Sequence, residues 1–237
     1  MFIKGGRNFR DTFTHLNLLK MKKVMMIVAF IATFSGYLEA QNEAYLKAMR
    51  EAVGVLDTVN GSPGFIAVGN TFGRIASAEP KEWLPLYYNA YCNLRVGFEV
   101  ANTDGLQAKT YFDVAQKQLD AAKVLAPNEV EIVVLQGYIY QGRIVENPQV
   151  NGGEFTQKCY GELGKAMVMS PDNPRPYLIK GQNTYFMPSF WGGGADKAKP
   201  ILEEALARYG RFKGDSDVYP HWGVDRVKQL LKMIDNG

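Results

Sequence analysis

The residues able to do chemistry are few in this chain of 237 residues. His15 and His221 are its two histidines, which leaves no paired-His metalloprotease motif, His-rich zinc site or two-His iron site. Cys92 and Cys159 could bridge in an oxidising compartment, but they fall in different helix pairs and read as free buried thiols. A cysteine nucleophile would also need a base that only His221 could supply. Gly192-Gly193-Gly194-Ala195-Asp196-Lys197 opens a helix whose free amides could attract an anion. No Lys-Ser or Lys-Thr follows the last glycine as a Walker loop requires, so a turn that needs glycine is the simpler reading. The acidic pairs Glu129 and Glu131, and Glu203 and Glu204, read as helix starts or solvated stripes rather than a glycosidase pair, and Lys197 and Lys199 read the same way. These residues make up no catalytic, metal or cofactor set, and the expectation is a non-enzyme. The aromatic and amide residues say more. Tyr88, Tyr138 and Gln182 are each followed three residues later by Tyr91, Gln141 and Tyr185, one turn further along the same helix face. Phe190 and Trp191 lie in a turn where they could make contacts or simply cover helix ends.

Positioning these groups requires a core, and 46% hydrophobic with 22% charged residues is the profile of a globular protein. The net charge of +3 belongs to the first 40 residues, where six bases face two acids; the rest holds 21 bases and 22 acids. The remainder thus lacks the basic surplus of a nucleic-acid binder. Met21-Lys22-Lys23 followed by the apolar run from Val24 to Phe34 has the layout of a secretory signal, too short to span a bilayer. Cleavage fits after Ala40, or after Ser35 as the alternative. Residues 1–20 read as an upstream extension, with Met1 or Met21 as the start, and 21–40 as the signal peptide. No cysteine near the cleavage region supports a lipid anchor, so no stable membrane insertion is expected after export to the periplasm or medium.

Beyond residue 41 apolar stretches of helical length alternate with Pro, Gly and Asn breaks, and no period-two strand pattern persists. The periodicity predicts helices over about 42–59, 62–77, 81–99, 106–126, 129–143, 154–169, 174–186, 195–209 and 219–235. Four of them end alike. Ala115, Leu119, Ala122 and Pro127 share their spacing with Cys159, Leu163, Ala166 and Pro171, and with Ala198, Leu202, Ala205 and Gly210; Val68, Phe72, Ile75 and Pro80 form an earlier copy. Small and apolar residues so spaced let a neighbouring backbone come close, and the last residue stops the helix. The following helices repeat Val133, Gly137 and Tyr140 as Tyr177, Gly181 and Thr184, and as Tyr219, Gly223 and Arg226. Since mid-helix glycine costs about 1 kcal/mol, its return in register points to close helix packing. The turns Pro148–Gly153 and Pro188–Gly193 also match each other.

This pattern resembles the tetratricopeptide repeat over roughly residues 43–235, with Trp83, Leu86 and Ala90 beginning another copy in which Tyr87 stands at the glycine position. The stops lie 47, 44 and 39 residues apart instead of the usual 34, so the turns must be enlarged. The chain also resembles exported tetratricopeptide-like proteins of Bacteroidetes-type bacteria. The resemblance implies an all-α, right-handed solenoid over 41–237, of about four helix pairs plus a capping helix that shows Lys228, Lys232 and Asp235 to solvent. It further implies that Tyr88, Tyr91, Tyr138, Gln141, Gln182 and Tyr185 line a concave groove, with gap-filling between helices as the alternative. The function expected is a non-catalytic scaffold binding a protein or peptide there. The alternative is a small-molecule module of extracytoplasmic transport, its groove closed into an aromatic pocket. The mature chain is expected to begin at Gln41, which the intact mass of protein taken from the cell envelope would read; a mass that still includes Met21 would refute export by this signal.

Overall fold

The computed structural model describes residues 42–101 and 103–236; the expected extension and signal peptide lie outside the described residues. The chain divides into two units, Met1–Lys47 and Ala48–Gly237, and the second carries the packed helices and the candidate site.

Proline turns set the architecture. At Glu79–Glu82, Ala126–Glu129 and Ser170–Asn173 the fourth amide donates to the first carbonyl, at 3.0, 3.2 and 3.1 Å, with Pro80, Pro127 and Pro171 second in each turn, where a fixed φ suits it. Regular structure among the described residues is helical: α1 over 42–56, α2 (Gly61–Ala78), α3 (Leu84–Val100), α4 (Gly105–Leu125), α5 (Val130–Glu146), α6 (Pro148–Met169), α7 (Arg175–Phe186), α8 (Ala195–Tyr209) and α9 (Val224–Asn236), with a 3₁₀ turn at Ser189–Trp191. From α2 onward each helix packs on the next, and α3 also touches α5, α5 touches α7 and α7 touches α9.

The residues spaced for close packing are the core. Ala115, Leu119, Ala122, Cys159, Leu163, Ala166, Ala198, Leu202 and Ala205 are buried, as are Val68, Phe72 and Ile75. A methyl group on Gly137 would stand 2.9 Å from Leu163, and one on Gly181 2.7 Å from Leu202. The repeated glycines therefore let the leucine of the next helix seat against bare backbone. The turns also correct the repeat register. Gly137 and Gly181 stand eleven residues beyond Ala126 and Ser170, and eleven beyond Glu79 is Ala90, not Tyr87. Tyr91, Tyr138 and Gln182 are therefore the equivalent set, and Tyr88 belongs one turn earlier.

Three other expectations are corrected. Pro148–Gly153 is not a turn but the start of α6: Asn147 accepts from the Val150 amide and Pro148 takes the first position, where its missing N–H costs nothing. The last helix begins at Val224 rather than residue 219, because Pro220 interrupts the chain and Gly223 has φ +115° with the Tyr209 hydroxyl where a side chain would stand. The match of Tyr219, Gly223 and Arg226 to the earlier repeats is accordingly not a helical one. Glu131 is not on a solvated stripe but fully buried. α9 buries Val227 and Leu230 in a cluster with Leu178, Ala198, Leu202 and Ala205, and leaves Lys228, Lys232 and Asp235 exposed.

Cys92 and Cys159 are both buried and free, and burial pushes each thiol up to about 12. Native protein should therefore resist thiol reagents at pH 8 and react at both positions once unfolded; rapid native labelling would contradict this burial.

Candidate functional site

A buried ion pair joins the repeats at the base of the site. Five residues beyond the first residue of its turn, each of two repeats places a charge, Glu131 opening α5 and Arg175 opening α7, both with fully buried side chains. The Arg175 Nε donates to one Glu131 oxygen at 2.7 Å and its Nη2 to the other at 2.6 Å, the forked arrangement a guanidinium favours. Asn173 donates to Glu131 at 2.5 Å and the Tyr87 hydroxyl at 3.3 Å. The Trp222 indole N–H in turn donates to the Tyr87 hydroxyl at 2.9 Å.

Through Trp222 the pair fastens the segment before α9 across the odd-numbered helices. Trp222 stacks with Tyr91 of α3 at 4.7 Å between ring centroids and with Tyr138 of α5 at 5.6 Å, while Phe212 and Trp222 lie 5.0 and 5.7 Å from the Arg175 guanidinium. The hydroxyl of Tyr88 donates to the Val218 carbonyl, that of Tyr219 to Glu129 and that of Tyr209 to the Trp222 carbonyl. At the edge His221 Nε2 lies 3.0 Å from Asp57, and Arg50 pairs with Asp217.

Beside this segment opens a cavity of about 1800 Å³, larger than the roughly 300–1,000 Å³ usual for small-molecule sites. Tyr91, Phe98 and Tyr138 form an aromatic wall, with Phe65 and Phe186 nearby, and Arg95 and Arg226 enter from opposite ends of the sequence. Arg226 Nε donates to Gln182 at 2.7 Å and its Nη1 to Gln229 at 2.7 Å, while Gln182 donates to Gln141 at 3.2 Å. Arg95 donates to the Tyr91 hydroxyl at 3.0 Å and lies 4.6 Å above the Phe65 ring. Burial pulls Arg226 below the ordinary arginine value, Tyr138 counteracts it and the charge of Arg95 adds to it; it remains a cation, as guanidinium does in proteins. Burial raises Tyr91 to about 12 and Tyr88 further still, so these two phenols are neutral.

Of the residues expected in a groove, Tyr88, Tyr91, Tyr138, Gln141 and Gln182 line the cavity, and so do Phe190 and Trp191. Those last two are largely exposed, at 80% and 73%. Tyr185 does not line it; it packs against the Leu178–Leu202 cluster. Sequence reasoning missed Arg95, Trp222 and Arg226. Arg95 stands one helical turn beyond Tyr91, which was a usable signal, whereas nothing local marks the segment before α9 as a cover. Among the described residues no cluster of His, Cys, Asp and Glu could hold a metal ion, and no helix is long and apolar enough to cross a membrane.

The chain matches no protein-family model and no curated protein sequence. Among solved structures it is similar to the HusA haemophore from Porphyromonas gingivalis, with 29% identity, a TM-score of 0.71, and coverage of 81% of this chain and 93% of that one.

Two results are expected of this site. Trp222→Ala should cost about 3–5 kcal/mol in urea unfolding, because it removes both stacks and the Tyr87 hydrogen bond; a loss under 1 kcal/mol would mean the segment is not fastened through this ring. In an alkaline titration Tyr91 should ionise near 12, a component that Tyr91→Phe removes. Because the folded value is raised, its contribution to stability is complete below the unfolded value of 10.0 and is lost as pH climbs through 12.

Proposed function

We propose that this protein is an exported, non-catalytic carrier of haem, held as cargo in the cavity beside Tyr91 and Tyr138. The observation that carries this reading is a haemophore likeness over 81% of the chain coinciding with one large aromatic cavity that two guanidinium groups enter. Haem is a flat apolar ring with carboxylates at one edge, and rings with cations are what would receive it. Of the lining rings, Phe98 and the exposed Phe186, which Trp222 does not stack on, would take the ring face, and the exposed Phe190 and Trp191 would cover it from the rim.

Cargo of this kind is favoured over the expected peptide. A peptide groove would need the inner face of the odd helices free, whereas Val218 and Trp222 of the chain itself already occupy the Tyr88 hydroxyl and one face of the Tyr91 and Tyr138 rings there. The repeated proline turns and the packing of α3 on α5, α5 on α7 and α7 on α9 support a tetratricopeptide-like solenoid as the frame of the carrier.

Titration with haem, followed in the visible spectrum, should saturate at one equivalent with a dissociation constant of about 1 µM or tighter, and native mass spectrometry should retain the added mass. Gly153 lines the cavity, and a methyl group there would meet nothing within 4 Å, so Gly153→Trp leaves the backbone contacts intact and should place a ring at the cavity edge. It is expected to weaken haem about tenfold at unchanged melting temperature. Absence of saturable binding would overturn the carrier reading, and tight binding indifferent to Gly153→Trp would place haem elsewhere.

A further inference from the structure

Eight arginines lie among the described residues, and five of them, Arg50, Arg143, Arg175, Arg208 and Arg211, make ion pairs with carboxylates. Arg74 is exposed and takes the Thr71 hydroxyl. The remaining two, Arg95 and Arg226, are half-buried, enter the same cavity and form no ion pair among the described residues. Their hydrogen-bond partners are neutral: a phenol for Arg95, two carboxamides for Arg226.

That arrangement is costly unless something anionic completes it. A guanidinium withdrawn from water loses hydration that neutral partners replace only in part. No nearby acid closes on either guanidinium among the described residues. Glu99, one turn beyond Arg95, favours that arginine's charged form from a distance but is turned to the Ser62 hydroxyl, from which it accepts at 2.6 Å; Asp57 faces His221; Asp225 pairs with Lys228 at 3.7 Å. The carboxamides do more than satisfy Arg226. The chain from Gln141 through Gln182 to the Arg226 Nε runs from α5 through α7 to α9 and fixes the direction from which that guanidinium faces the cavity.

We propose that Arg95 and Arg226 are the anion-holding pair of the cavity, each taking one carboxylate of a flat, apolar, dicarboxylate ligand, with Gln182 as the positioning residue for Arg226. The pair selects for the acid groups of the ligand, while the aromatic wall supplies affinity that does not depend on them. This assignment rests on the carrier reading above.

The test compares protoporphyrin with its dimethyl ester, delivered in the same detergent, by fluorescence titration of the full chain. The unaltered protein should bind the acid at least about tenfold more tightly than the ester, the size expected when charge-assisted hydrogen bonds are lost. Arg95→Met and Arg226→Met should each erase much of that preference, and the double variant should bind acid and ester alike. Arg226→Lys keeps the charge and should retain more of the preference than Arg226→Met, and Arg74→Met should change nothing. Gln182→Leu should lower acid affinity only while Arg226 is present, an effect that a merely structural role would not produce. If the unaltered protein binds both porphyrins tightly without preferring the acid, or if the double variant keeps the preference, the arginine assignment is wrong and the carrier reading survives. If it binds neither, both fall.

Discussion

A carboxylate and a guanidinium removed entirely from water are the constraint on which the rest of this structure depends. Burial of either ion alone costs several kcal/mol, and their attraction offsets it only when the geometry is good and the remaining lone pairs and protons are satisfied. Glu131 meets that demand with donors from Arg175, Asn173 and Tyr87. Those donors come from the opening of α7 and the first turn of α3, while Glu131 opens α5, so the pair needs three helices and two turns in place. One Arg175 nitrogen, Nη1, lacks a hydrogen-bond partner, and the faces of Phe212 and Trp222 supply the compensation available there.

The consequence is a division of the inner helix face into a covered part and an open part. Tyr87 reaches from Glu131 to Trp222, and Trp222 holds the chain before α9 against Tyr91 and Tyr138. The same stretch then turns at Gly223, where only glycine fits, and releases α9 to pack on α8 and bring Arg226 to the cavity. A repeat array that leaves its inner face bare suits an extended partner; one that folds its own end over that face is left with a bounded hollow, and bounded hollows suit compact ligands.

How much of this could be read beforehand varied with the range of the interaction. Helix existence, the proline stops and the buried Ala-Leu-Ala pattern depend on neighbours within a turn or two, and residues such as Leu119, Leu163 and Leu202 carry them openly. Register was harder. Trp83-x-x-Leu86 imitated the repeat three residues early, and only the hydrogen-bonded turn at Glu79–Glu82 puts Ala90 opposite Gly137 and Gly181. Glu131 looked like a solvated helix start because its partner stands 44 residues away, and no local pattern distinguishes an acid paired across repeats from one facing water.

The sequence by itself determined the helical class, the order of helices, the stops and the positions that must be small, because each follows from periodicity, propensity and sterics within one helix or one turn. It also marked Tyr88, Tyr91, Tyr138, Gln141 and Gln182 as belonging to one face. Tertiary structure alone decided that Trp222 covers that face, that Glu131 is an ion-pair partner rather than a surface acid, and that Arg95 and Arg226 meet in one cavity. The physical reason is separation along the chain: those residues interact across 44 to 135 positions, where charge and packing partners are chosen by the fold and no local preference records the choice.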